Sequence, residues 1–406
     1  MNYSKKKALQ LILLFGLVSL FGDIVYEGAR SVNGPYLKLL GANAVMVGII
    51  AGIGEFLGYT IRLVSGYVSD KTKNYWLFTI LGYALIIAVP LLAYTSLWHV
   101  AALFIVVERI GKALRSPAKD TLLSQATKQV GTGFGFGLNE LMDQIGALVG
   151  PLIFTFFFMI KGAGERTLAD YQHGYGLLWI PFALLMLCVV VAWRSVPHPE
   201  ALETEKKNEP EKLPKVFWIY TIFSFLTTMG FVNFVLLAFH YKARHILTDF
   251  EIPLYYALAM GIDGVAALVI GKAYDVQKEK KGNDLGGLST LIIIPLFSIL
   301  IPLLAFSENR WVVIPGILIW GIVMACHETI MKSAIADITP LKKRGTGYGI
   351  LNTAYGLAVL AGSTLMGFFY DRSLAGLIFF AIALELTSLP FFFAIKKEML
   401  SHSAAS

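Results

Sequence analysis

The residues able to do chemistry in this sequence are ionisable side chains set inside otherwise apolar stretches. The first stretch carries Asp23, Glu27 and Arg30, spaced i, i+4 and i+7, so a helix presents them on one face. The second carries Glu55 and Arg62. The fourth carries Glu108, Arg109 and Lys112, and Glu108 and Lys112 share a face with Arg115. The fifth holds Asn139, Glu140, Asp143 and Gln144. Later stretches are sparser, with Asn233, Asp263, His327, Glu328, Lys332, Asn352 and Glu385. A charge in the middle of hydrocarbon costs about 2.5–3.5 kcal/mol, so such groups face a cavity or a partner. There they can bind and release protons, hold a polar solute, or neutralise one another. Asp23 is the best proton site, because it lies deep and its nearest helical cation, Arg30, is two turns away. Plainer roles compete with each assignment: Glu27 pairing with Arg30, Glu108 with Lys112, and Glu140 with a nearby base as a structural gate. Arg115 can snorkel to a membrane surface, and His327 can be a satisfied polar contact.

The elements that position these residues follow from composition. Of 406 residues, 56% are hydrophobic and 15% charged, with a mean hydropathy of +0.66. A soluble domain needs a far more charged surface. Apolar segments run over 8–31, 44–69, 75–94, 98–114, 134–160 and 175–193, then 216–240, 253–273, 288–306, 311–336, 348–370 and 375–395. Each suits a spanning helix of roughly 20 residues. The expectation is an all-α membrane protein with twelve transmembrane helices, leaving no soluble catalytic domain. The opening Lys5-Lys6-Lys7 and apolar run lack a cleavage site and carry Asp23 and Glu27, so they read as a retained first helix.

The net charge of +7 is spread between the apolar runs. It forms no continuous stripe, which argues against nucleic acid. Two cysteines, Cys188 and Cys326, lie within apolar runs and suggest neither a disulfide framework nor a Cys-rich metal site. The charged stretch 194–215 splits the helices six and six, giving an N-terminal bundle (1–193), a linker (194–215) and a C-terminal bundle (216–406). Lys and Arg are about three times as frequent in the loops on the side of the termini and linker, so these are expected to be cytoplasmic in a cell (inner) membrane.

The two halves repeat. Gly66-Tyr-Val-Ser-Asp70 closes the second segment and Gly271-Lys-Ala-Tyr-Asp275 the eighth. Arg115-Ser-Pro-Ala-Lys-Asp120 follows the fourth and Lys332-Ser-Ala-Ile-Ala-Asp337 ends the tenth. Gly131-Thr-Gly-Phe-Gly135 precedes the fifth and Gly345-Thr-Gly-Tyr-Gly349 the eleventh. Three matches in order indicate two parallel six-helix repeats.

On these features the chain resembles the major facilitator superfamily over essentially its whole length. Gly66, Asp70, Lys71 and Lys73 are similar to its signature loop, with Asn74 where a basic residue or Gly is usual. Gly146, Gly150 and Pro151 resemble the Gly-x-x-x-Gly-Pro pattern of its proton-coupled exporters, without the glycine pair that usually follows. The resemblance implies gating by Gly66, Asp70, Lys71, Lys73, Gly146, Gly150, Pro151, Gly271 and Asp275. It also places helices one, four, seven and ten around a central cavity.

The resulting expectation is a secondary transporter, not an enzyme, working by alternating access. Proton-coupled export (antiport) of a small organic solute is the leading reading, with Asp23 and Glu27 coupling protons. Arg30, Glu55, Arg62, Glu108, Arg109, Asn139, Asp143, Asn233, Asp263, His327 and Glu328 are the substrate-cavity candidates. Three alternatives stay open: uptake of an anionic metabolite held by Arg30, Arg62 or Arg109; divalent-metal export through Asp23, His327 and Glu328; and a non-transporting receptor. The partners expected are substrate, protons and lipid, with a monomeric chain and no cofactor; no Walker-type nucleotide motif is present.

Overall fold

Helix starts and stops follow local chemistry. The first helix ends where Gly41 adopts φ +90°, its N–H donating to Lys38 O at 2.9 Å and that of Ala42 to Leu37 O at 3.0 Å. Asn43 then starts the second, its side-chain oxygen accepting from Met46 N at 2.9 Å. Thr167 and Asp170 form a capping box ahead of the sixth. Glu251 accepts from the Thr248 backbone and hydroxyl at 2.9 and 2.8 Å ahead of the eighth.

A computed structural model describes residues 3–127, 132–162, 164–197, 213–281, 284–339 and 344–403. Its helices are α1 (Tyr3–Leu39), α2 (Ala44–Thr72), α3 (Tyr75–Tyr94), α4 (Trp98–Thr127), α5 (Thr132–Ile160) and α6 (Leu168–Ser195), then α7 (Lys215–Ala243), α8 (Glu251–Lys281), α9 (Gly286–Ala305), α10 (Arg310–Ile338), α11 (Arg344–Arg372) and α12 (Leu374–Ser403). Among the described residues there is no strand, and 11 helices are long and apolar enough to cross a membrane. The remaining one is α4, whose 30 residues suffice in length but carry Glu108, Arg109, Lys112 and Arg115. The chain is an all-α, multi-pass membrane protein. Most of the linker, 198–212, lies outside the described residues.

Several helices run past their apolar segments. The α4 helix continues to Thr127, where hydropathy ends at residue 114, and α8 reaches Lys281 instead of 273. Hydropathy marks the part suited to hydrocarbon, whereas backbone hydrogen bonding continues beyond it. In consequence Arg115 and Lys119 belong to a helix, not to a loop.

The chain divides into two compact units. One comprises 1–42, 53–206 and 247–257; the other comprises 43–52, 207–246 and 258–406. The first is centred on α1, which packs most extensively on α5. The glycines of α5 permit this approach. A Cβ at Gly146 would lie 2.7 Å from Asp23 Cβ, and one at Gly150 would lie 2.7 Å from Gly28 N. The second unit repeats the device, with Gly362 of α11 against the Met229 backbone of α7. Gly150→Ala is expected to separate α1 from α5, lowering the detergent melting temperature and at least halving transport; a wild-type melt and wild-type flux would refute the contact.

In the second unit α7 is broken. Its first segment stops at Gly230, Phe231 is extended, and Asn233 caps the second by accepting from Val235 N at 2.9 Å. The break is held by α10: Trp320 Nε1 donates to Val232 O at 2.8 Å, and the Trp320 ring stacks on Phe231 at 5.6 Å. Large apolar side chains such as Val265, Leu268, Val269 and Phe379 are exposed on the helices. That suits a lipid solvent, where the backbone groups must be satisfied internally.

Candidate functional site

The first unit holds a continuous chain of ion pairs. Arg30 contacts Glu27 at 3.3 Å through one nitrogen and Glu55 at 3.3 Å through another. Arg109 meets the same Glu55 oxygen at 3.4 Å and Glu108 at 3.5 Å, and Arg115 reaches Glu108 at 4.0 Å. Six side chains from α1, α2 and α4 are thus linked acid to base, at side-chain exposures between 5% and 17%. Such alternation is the condition under which charges persist away from water. Two expectations from sequence change here. Glu108 pairs with Arg109 and Arg115, not with Lys112. Arg115 does not snorkel: it is 4% exposed and stacks over the Tyr83 ring at 4.8 Å.

Beside this chain lies a cluster built by α1, α4 and α5. Lys112 Nζ lies over the Tyr26 ring, 4.2 Å from its centre, and donates to the Tyr26 hydroxyl at 3.1 Å. Asp23 interacts electrostatically with Asp143, Lys112 and Glu27. Asp143 accepts from Asn139 Nδ2 at 3.1 Å, Asn139 Oδ1 accepts from the Ser19 hydroxyl at 3.1 Å, and Lys119 Nζ donates to that hydroxyl at 3.1 Å. Glu27 also accepts a short hydrogen bond from the Tyr256 hydroxyl, at the start of α8.

The fold therefore brings together Asp23, Glu27, Arg30, Glu55, Glu108, Arg109, Asn139 and Asp143. Arg62 is nearby in charge terms, acting on Glu55, with its guanidinium 4.9 Å from the Tyr59 ring centre. Glu140 is exposed and accepts from Gln144 at 3.5 Å.

The second-unit candidates are more scattered. Asn233 serves the α7 break. Asp263 is 3% exposed on α8, close enough to Cys326 to interact with it. His327, 4% exposed, lies 5.0 Å from the Phe231 ring and 6.2 Å from Tyr355. Glu328 is half-buried on α10. Among the described residues no group of three or more His, Cys, Asp or Glu could hold a metal ion. The divalent-metal alternative thus has no observation in its favour.

Among the gating candidates, a Cβ at Gly66 would meet Pro117 of α4 at 3.4 Å, and one at Gly271 would meet Thr329 of α10 at 3.5 Å. The repeat evident in sequence is thus a repeated helix contact. Lys71 and Lys73 are exposed, Lys73 with φ 56°. The side chains of Asp70 and Asp275 lie outside the described residues. Gly146 and Gly150 seat α1, and Pro151 leaves its carbonyl to the Thr155 hydroxyl at 3.2 Å.

Sequence reasoning missed Ser19, Tyr26, Lys119 and Tyr256. Ser19 lies one turn before Asp23 and Tyr26 three residues after it, so both border the helical face of Asp23 and Glu27 and could have been found by scanning that face and the turn before it. Lys119 was hidden by the early end assigned to α4. Tyr256 lies 229 residues from Glu27, and no local pattern announces it.

The sequence model of the Major Facilitator Superfamily matches residues 15–363. The chain is 37% identical over 404 residues to an uncharacterized protein of Mycobacterium tuberculosis, covering 98% of this chain and 95% of the relative. It is 22% identical over 380 residues to an uncharacterized MFS-type transporter of Methanocaldococcus jannaschii, covering 92% and 91%. Among solved structures it superposes on a POT family transporter in complex with a thioalcohol-conjugated peptide, with a TM-score of 0.73, 15% identity and 96% coverage of both chains.

Proposed function

The chain belongs to the major facilitator superfamily and is a secondary transporter, and from that premise we propose that it couples inward proton movement to export of a small organic solute. The observation that carries this reading is Asp23, set against Asp143 where the Gly146 and Gly150 contact brings α5 onto α1. Two neighbouring carboxyls repel when both are charged, and one proton relieves that repulsion. The exporter-like glycine motif and the coupling acid are then parts of one device.

Lys112 acts on both Asp23 and Glu27. Protonating Asp23 leaves Lys112 to Glu27 and weakens the hold of Glu27 on Arg30 and Tyr256. The effect of protonation thereby reaches Tyr256 at the start of α8 through its hydrogen bond to Glu27. Ligands shift populations only through differential affinity, and rearranged ion pairs supply that difference. The halves 1–193 and 216–406 alternate access to the site, with both termini and the linker cytoplasmic on the strength of the Lys and Arg distribution.

A second reading, an anionic solute, is favoured by Arg62. Its Nε is buried without a hydrogen bond, beside the basic groups Arg30, Arg109 and Lys112. A carboxylate or phosphate would give that Nε its acceptor.

The test is purified protein in sealed liposomes loaded with a pH-sensitive dye, challenged with organic cations, amphiphiles, organic acids and divalent metals in turn. Compound-dependent proton flux supports the reading and names the substrate class. Substrate flux without proton flux overturns the coupling, and a bound ligand with no flux at all overturns transport. If the solute is an anion, Arg62→Gln should raise its half-saturating concentration about tenfold or more, the worth of one charge-assisted hydrogen bond. An unchanged concentration dependence removes Arg62 from the site.

A further inference from the structure

Glu385 lies in the middle of α12 and is 0% exposed. Neither of its carboxyl oxygens makes a hydrogen bond. The hydroxyl facing it is Ser298 of α9, whose Oγ is likewise unbonded. On the α7 side it occupies room that a side chain at 230 would take: a Cβ on Gly230 would lie 2.8 Å from Glu385 Oε1. Gly230 is also the last residue of the first α7 segment. A helix end leaves its final carbonyls without intrahelical donors and carries the negative end of the helix dipole. An ionised carboxylate there is out of water beside a helix end that carries partial negative charge, with the Ser298 hydroxyl as the donor that faces it. A carboxylic acid is neutral and supplies the donor that a helix C-terminus lacks.

The charged and titratable groups on the packed elements do not compensate a carboxylate. The first α7 segment brings Tyr220 and Lys215, and Lys215 pairs with Glu398 at 2.7 Å, more than three turns further along α12. The α9 helix brings none between Gly286 and Ala305. Among its described side chains the α11 helix brings Tyr355, Tyr370, Asp371 and Arg372. Asp371 caps Ala44 and Val45 at 3.2 Å, and Arg372 lies over the Phe368 ring at 4.1 Å.

We propose that Glu385 is a second proton-binding site, in which a carboxylic acid on α12 serves the broken end of α7 beside Ser298. It is separate from Asp23 and does not depend on the coupling assigned to that residue. Straightening of α7 at 230–233 would remove the helix end and, with it, what the proton serves.

The experiment is infrared spectroscopy of the purified protein in liposomes near neutral pH, reading the carbonyl stretch of protonated carboxylic acids. Loss of one such band in Glu385→Gln, with its retention in Asp23→Asn, is the expected result. An identical band in wild type and Glu385→Gln overturns the proposal. If Glu385→Gln does not fold, Gly230→Ala decides: its Cβ displaces the carboxyl and should shift the same band, and an unshifted band refutes the placement.

Discussion

Asp23→Asn is expected to abolish transport driven by a pH gradient while leaving the folded protein intact. Asparagine keeps the shape of the side chain and its fit beside Gly146, but it can neither take nor release a proton. Neutralising it also ends the repulsion with Asp143, so the melting temperature should be equal to or above that of the wild type. In the liposome assay, solute should still equilibrate down its own gradient through exchange of states. Accumulation against that gradient should vanish. If the variant still concentrates solute in response to an imposed pH difference, the coupling proton binds elsewhere. A variant that melts well below wild type would point instead to a structural carboxylate.

The second large effect is on stability. A single Glu55 oxygen is shared by Arg30 at 3.3 Å and Arg109 at 3.4 Å. Glu55→Gln removes the anion between two guanidiniums and leaves each with one carboxylate, Arg30 with Glu27 and Arg109 with Glu108. Breaking a buried pair from one side costs about 3–5 kcal/mol. Removing Arg109 as well, in Glu55→Gln with Arg109→Gln, should recover part of that loss, because charge is then removed in balance. The measurement is a double-mutant cycle of detergent unfolding. Additive losses would show that the two residues are not coupled, and a Glu55→Gln protein as stable as wild type would remove the ion-pair chain as a support of the fold.

Much of the architecture is legible along the chain. Apolar segments, caps and the Lys and Arg of the loops are local properties, and each helix was visible within a few residues of its hydrocarbon-compatible part. The α4 helix shows where this fails. Its segment was recognised but cut short at residue 114, because hydropathy falls where Arg115 and Lys119 enter, although those side chains turn inward to Glu108 and Ser19. The same-face spacing of Asp23, Glu27 and Arg30 was likewise legible from helical period alone, as was the internal repeat that recurs as the Gly66–Pro117 and Gly271–Thr329 contacts.

What sequence alone determined is therefore the membrane class, the helices, the repeat and the set of charges that must be accommodated. The choice of partner was decided only in three dimensions. Glu108 had Lys112 one turn away yet meets Arg109 and Arg115, and Glu27 takes Tyr256 from a helix 229 residues distant. The same holds for Glu385, which reads as one more acid in an apolar run until Gly230 and Ser298 are seen beside it. Helical period fixes which side chains share a face, because it depends on the backbone of a single segment. Which charge neutralises which depends on how closely two helices approach, and that distance is set by glycine contacts such as Gly146 and Gly150 on α1, between residues far apart in the chain.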